Sequence, residues 1–264
     1  MLHSFAQLPV FYLGFFGSLF AGLATGVGAL PILFLNKVTR KFQGALMGFG
    51  AGVMLAATSF SLVIPGIEAA TEQTGSEVTA ALIVTAGMLL GALFLWSSHH
   101  YSPHEHFIKG PEGSNPVSLK RIWLFIIAIT IHNFPEGLAV GVGFGGETLA
   151  NGITLATGIG LQNMPEGFVV ALALVGEKYS KGTALMVALM TGLVEPFGGA
   201  IGAGLVSLAK PILPWAMAFA AGTMLFVISD EIIPESHRLG YEKGATFGVI
   251  LGFVSMMFLD ITLG

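Results

Sequence analysis

The sequence predicts an all-α polytopic membrane protein with about eight transmembrane helices, and three observations carry that prediction. Of its 264 residues, 54% are apolar and 10% charged, where a soluble domain carries roughly 25% charged residues. Uncharged stretches, such as those between Lys41 and Glu68 and between Glu77 and His99, match the roughly 20 apolar residues needed to cross a hydrocarbon core. The few basic residues gather in alternate connections between these stretches.

The first apolar run, from about Pro9 to Leu35, follows a segment without the basic n-region of a secretory signal and reads as a retained span. Further spans are expected near Gly44–Ile67, Val78–Ser98, Ile122–Phe144, Ile153–Val175, Thr183–Leu208, Leu213–Ile233 and Ala245–Leu263. Both termini then lie on one side. The connections after spans 1, 3, 5 and 7, with their flanks, hold Lys37, Arg40, Lys41, Lys109, Lys120, Arg121, Lys178, Lys181, Arg238 and Lys243, against Lys210 alone on the other side. This bias places the odd-numbered connections in the cytoplasm and both termini outside, in a plasma (inner) membrane. The external connection after span 2 carries Glu68, Glu72 and Glu77, either as a solvated loop or as a weak attractor of cations. Without cysteine, disulfides and thiolate metal sites are excluded. The expected partners are the lipid bilayer and ions, not nucleic acid.

A carboxylate near the bilayer centre costs about 2.5–3.5 kcal/mol on insertion scales, so such residues face a partner, a cavity or an ion. Span 4 reads Ile131-His132-Asn133-Phe134-Pro135-Glu136-Gly137, span 5 reads Leu161-Gln162-Asn163-Met164-Pro165-Glu166-Gly167, and span 6 adds Glu195-Pro196. Spacings of three and four place the first side chain, the Asn and the Glu of each repeat on one helical face. Each proline removes a helical donor and frees the carbonyl at Ile131 or Leu161, so a kink beside the carboxylate is expected, as where transporters interrupt helices at a mid-membrane site. His132 and Glu136 lie 11 and 15 residues after Arg121, Glu166 and Gln162 lie 11 and 15 before Glu177, Glu195 lies 14 after Lys181, and Met54 lies 13 after Lys41. At 1.5 Å per residue all sit roughly 16–23 Å from one membrane face. Imidazole, carboxylate and amide donors suit zinc, iron(II), manganese or cadmium, and a thioether from Met54 favours softer ions.

Two further clusters stand out. Asp230, Glu231, Glu235 and His237, toward the cytoplasmic end of span 7, form either a solvated helix terminus or an exit site below the central one. His99, His100, His104 and His106 make residues 99–120 a cytoplasmic histidine-containing loop and are candidate loop ligands. Asp260 reads as structural or pathway-lining. Patterns such as Gly22-Leu23-Ala24-Thr25-Gly26 and Gly198-Gly199-Ala200-Ile201-Gly202 permit close helix approach.

Taken with the paired His-Asn-x-Pro-Glu-Gly and Gln-Asn-x-Pro-Glu-Gly motifs, the chain resembles the ZIP family of zinc- and iron-regulated transporter-like proteins, in its bacterial GufA-like branch. The resemblance implies that residues 1–264 form a single transmembrane transport domain, with spans 1–3 and 6–8 as inverted repeats around spans 4 and 5. It further implies homodimers, and import of a divalent metal through a binuclear-type centre. By motif match the ligands would be His132, Asn133, Glu136, Gln162, Asn163, Glu166 and Glu195, with Met54 as an addition. Many relatives carry His at the Gln162 position, some carry Asp at the Asn163 position, and His can stand where this chain has Asp230. The metal, zinc above cadmium, iron or manganese, is cargo, and no cofactor is expected. The alternatives are an intramembrane metal-dependent hydrolase, against which the lack of His-Glu-x-x-His counts, a proton-coupled carrier, and a channel using the same ligands.

Overall fold

Inside hydrocarbon every backbone N–H must find its partner within the protein, so the apolar runs become helices. A computed structural model describes residues 8–35, 39–101, 104–106, 110–112, 121–146, 148–238 and 240–263. Helix α1 spans Val10–Ala29 and tightens into a 3-10 turn at Leu30–Leu33. Helix α2, Arg40–Ala56, passes through a π-helical turn at Ala57–Val63 into α3, Ile64–Thr74. Helix α4 runs Glu77–Tyr101, followed by a small antiparallel pair, β1 His104–His106 and β2 Gly110–Glu112. Then come α5, Arg121–Gly143; α6, Leu149–Gly176; α7, Lys181–Gly192; and α8, Glu195–Leu208. Helix α9, Leu213–Val227, leads through a second π-helical turn, Ile228–Ile232, into α10, Ile233–Arg238; α11 is Glu242–Leu263.

Seven stretches among the described residues are long and apolar enough to cross a membrane. The 23 residues of α5 extend about 35 Å, enough for an eighth crossing. The ends are set by local chemistry: the hydroxyls of Thr39, Thr148 and Ser180 accept the N–H of Phe42, Asn151 and Thr183, each satisfying a donor that a helix start leaves open. Gly75, at φ 66°, closes α3 in the left-handed region that glycine tolerates. Lys181 Nζ donates to the Leu33 carbonyl at 3.1 Å, joining the connections after spans 1 and 5 at one end. Gln73 Nε2 donates to the Lys210 carbonyl at 3.1 Å, joining those after spans 2 and 6 at the other.

Several expectations change. Span 2 continues past Ile67 to Thr74, and span 7 continues past Ile233 as α10. Helices α5 and α6 run without a break through Pro135 and Pro165; the break falls in span 6, where α7 ends at Gly192 and α8 restarts at Glu195 with Pro196 in its first turn. Proline lacks an N–H, which the first turn of a helix does not need. His99 and His100 belong to the last turn of α4, not to a loop, and His104 and His106 lie on β1. Residues 102–103, 107–109 and 113–120 of that segment lie outside the described residues, as do Lys37, Lys109 and Lys120.

The most extensive pairings are α2 with α11, α4 with α9, α1 with α6, and α5 with α8. Exchanging spans 1–3 for 6–8 and span 4 for span 5 turns each pair into another of the set. The two π-helical turns obey the same relation, each ending just before an Ile-Pro pair, Ile64-Pro65 and Ile233-Pro234. Matching spans run in opposite directions, so the repeat is inverted. Small residues make the contacts possible: a Cβ at Gly52 would strike the Val249 carbonyl, one at Gly252 the Phe49 carbonyl, and one at Gly91 the Phe219 carbonyl. Helix α6 is central, 72% of its apolar window being buried, against 28% for α4 and 22% for α11, whose outer faces meet lipid.

A methyl group at Gly252 must push two backbones apart, whereas one at Gly204 meets only an ordinary contact 3.9 Å away at Phe11. Gly252→Ala is expected to destabilise the detergent-purified protein by about 1–3 kcal/mol, and Gly204→Ala to leave it unchanged or firmer. Thermal unfolding of both variants checks this.

Candidate metal centre

Three helices meet at mid-bundle. Helix α5 supplies His132, Asn133 and Glu136, α6 supplies Gln162, Asn163 and Glu166, and α8 opens on Glu195. Glycines bring them together: a Cβ at Gly137 would overlap the Glu195 backbone, one at Gly167 the Thr25 carbonyl, and one at Gly22 the Gly192 carbonyl. The glycine that follows each Pro-Glu pair is therefore what lets α8 and α1 close on the site. His132, Asn133, Glu136, Gln162, Asn163 and Glu195 are all buried, Asn163 and Glu195 to 0% exposure; Glu166 is half-buried.

The side chains form one network. Gln162 Nε2 lies 2.9 Å from Glu136 Oε1 and 2.9 Å from Oε2, 3.5 Å from Glu166 Oε2, and bonds to Asn163 Oδ1. Asn163 Nδ2 donates to Glu195 Oε1 at 2.7 Å and to the Ala21 carbonyl at 2.9 Å, tying the cluster to α1. Among the described residues, both amide atoms of Asn133, Glu166 Oε1 and Glu195 Oε2 are buried without a hydrogen-bond partner. No set of three His, Asp or Glu side chains converges at metal-binding spacing among the described residues. The carboxylates are bridged by amide donors instead.

Glu231 was expected in a separate exit cluster or on a solvated helix end. It is buried, 6% exposed, and its Oε1 lies 2.6 Å from His132 Nε2. The four residues of that cluster part company. Glu231 and Glu235, one turn apart, line a cavity of about 70 Å³ with Met47, Gly50, His132, Gln162 and Glu166. Asp230 lines a groove against α4 with Thr85 and Met88. His237 turns to α11, with its Nε2 3.1 Å from Thr246 Oγ1. Met54 is 1% exposed within the apolar core and is absent from the cavity wall. The His100 ring stacks on Trp96. On the opposite side, a cavity of about 230 Å³ is lined by Glu68, Asn151 and Asp260, and Ser61 Oγ donates to Asp260 Oδ1 at 2.7 Å. Of these two acidic cavities, the first is lined by cluster residues, His132, Gln162 and Glu166, and the second is not. Glu231 stands among the exit-site candidates of the sequence, but its contact with His132 is not signalled there; the four-residue spacing from Glu235 marks only that these two share a helical face.

A family model described as ZIP zinc transporter matches residues 96–260. The zinc transporter GufA of Myxococcus xanthus is 50% identical over 251 residues, covering 95% of this chain and 99% of its own length. The zinc transporter ZIPB of Bordetella bronchiseptica is 45% identical over 241 residues, covering 91% and 78%. The zinc transporter ZIP11 of Homo sapiens is 35% identical over 329 residues, covering 94% and 96%.

Contacting buried groups of opposite polarity are energetically coupled. A double-mutant cycle of His132→Ala and Glu231→Ala on thermal stability is expected to return a coupling of about 0.5–3 kcal/mol. Additive single effects would mean that the two side chains do not interact.

Proposed function

This chain belongs to the ZIP zinc transporter family, and on that premise we propose that it carries zinc into the cytoplasm through the cluster of His132, Asn133, Glu136, Gln162, Asn163, Glu166 and Glu195. The observation that carries this reading is the convergence of three membrane-embedded glutamates from α5, α6 and α8 on two amide donors. Water bound to an incoming dication is exchanged for these oxygens and for the His132 imidazole, donors that suit zinc and also admit iron(II), manganese or cadmium.

The unpartnered atoms of Asn133, Glu166 and Glu195 support a second ion position beside the first, making the centre binuclear. Glu136 and Glu166 supply two charges, enough for one dication; Glu195 adds the charge that a second ion calls for. Zinc enters past Asp260 and Glu68 and leaves past Glu231 and Glu235. Movement of one set of helices against the other exposes the cluster to each cavity in turn. The bias of basic residues toward the connections after spans 1, 3, 5 and 7 supports a cytoplasmic release side, and the histidine-bearing segment after α4 modulates release. Labelling of Ser114→Cys from outside intact cells would contradict that orientation.

Zinc flux into proteoliposomes, together with counting of bound zinc, tests the division of roles. Glu136→Ala and Glu166→Ala are expected to nearly stop flux, whereas Glu195→Ala loses one of two bound ions and keeps measurable transport. Normal flux in Glu136→Ala, or a Glu195→Ala variant as inactive as the other two, overturns it.

A further inference from the structure

The amide nitrogen of Gln162 is crowded by more acceptors than it has hydrogens. Both Glu136 oxygens stand at 2.9 Å, Glu166 Oε2 at 3.5 Å, and Asn163 Oδ1 is bonded to it as well. A primary amide nitrogen carries two hydrogens. Four oxygens from three side chains, two of these carboxylates, are the surroundings of a cation. The opposite amide orientation would set Oε1 against these acceptors, so the chemistry fixes which end faces them.

We propose that Gln162 is a stand-in for the transported cation: in the ion-free carrier its amide nitrogen holds the metal's place between Glu136 and Glu166, and loading expels it. The inference rests on the transport reading above and adds a step to it. Zinc bonds oxygen at about 2.0–2.2 Å, so an ion among these oxygens cannot share their centre with an amide nitrogen. Gln162 must turn, and it has room, because it also lines the inner cavity. Turned, it offers Oε1 to the ion. Asn163 is not free to do the same, since its Nδ2 is anchored to both the Ala21 carbonyl and Glu195. A carrier that has released its ion must return empty, and buried carboxylates without donors are costly. Gln162 supplies those donors for the return.

The test compares net zinc uptake with zinc-for-zinc exchange in proteoliposomes, because exchange never requires the empty return. Gln162→Met keeps the shape and a soft donor but has no N–H. Net uptake is expected to fall about tenfold more than exchange, the order set by losing a charge-assisted hydrogen bond. Gln162→His, which retains a ring N–H, is expected to stay closer to wild type in this ratio. A parallel fall of uptake and exchange in Gln162→Met, or no fall in either, overturns the proposal. Thermal unfolding gives an independent arm. As a stand-in, Gln162→Met lowers the ion-free melting temperature and widens the rise that zinc produces; an unchanged ion-free value with a narrower rise makes Gln162 a ligand only and overturns the proposal. Should the wild-type protein move no zinc, the transport reading fails by itself, and the melting arm still decides whether Gln162 holds the ion's place.

Discussion

A glutamate carried into the middle of a membrane must be met there by donors or by an ion, and the arrangement of this protein follows from meeting that need three times. Glu136 is met by Gln162, and Glu195 by Asn163. Glu166 is only partly met, at the rim of a cavity. These contacts require backbones to lie closer than ordinary side chains allow, which is why Gly137, Gly167 and Gly22 sit where a Cβ would overlap a neighbouring main chain. The prolines fit the same logic. Pro196 starts a new helix at Glu195, so this carboxylate stands in the first turn of α8, where it accepts from Asn163.

The inverted repeat gives the bundle two acidic cavities, one toward each end. Spans 2 and 8 pair as spans 7 and 3 do, and each set carries one π-helical turn, at Ala57–Val63 and Ile228–Ile232. The turns lie at opposite levels because the repeats run in opposite directions. Beside the first is the cavity with Asp260, to which Ser61 of the turn itself bonds. The second carries Glu231, which reaches His132. A wide turn re-aims the residues it contains without interrupting the helix, and such turns recur at functional sites.

Much of this was legible in the sequence. Gaps between charges marked the spans, and the repeated Asn-x-Pro-Glu-Gly with its depth relative to the basic residues brought Glu136, Gln162, Asn163 and Glu195 to one level, where hydrogen bonds now join them. The π-helical turns were not legible, since one added residue per turn leaves hydropathy unchanged. Without the turn, a regular helix sets Asp230, Glu231, Glu235 and His237 in one cluster, whereas in the structure they face three directions. The break at Leu193 and Val194 was hidden for a related reason: both residues are apolar, and only Pro196 signalled it. Met54 shares the depth of the cluster but lies in the apolar core, because depth along a helix does not fix the direction in which a side chain points.

X-ray absorption at the zinc edge of the zinc-loaded, purified protein tests the central claim most directly, since the central cluster offers one imidazole, whereas the last turn of α4 and β1 together carry four. The account predicts a shell of oxygen and nitrogen at about 2.0–2.2 Å, with no more than one imidazole per zinc, that disappears when Glu136 and Glu166 are both replaced by Ala. Several imidazoles per zinc, retained in that double variant, would contradict it and move the metal to the histidines at the end of α4 and on β1.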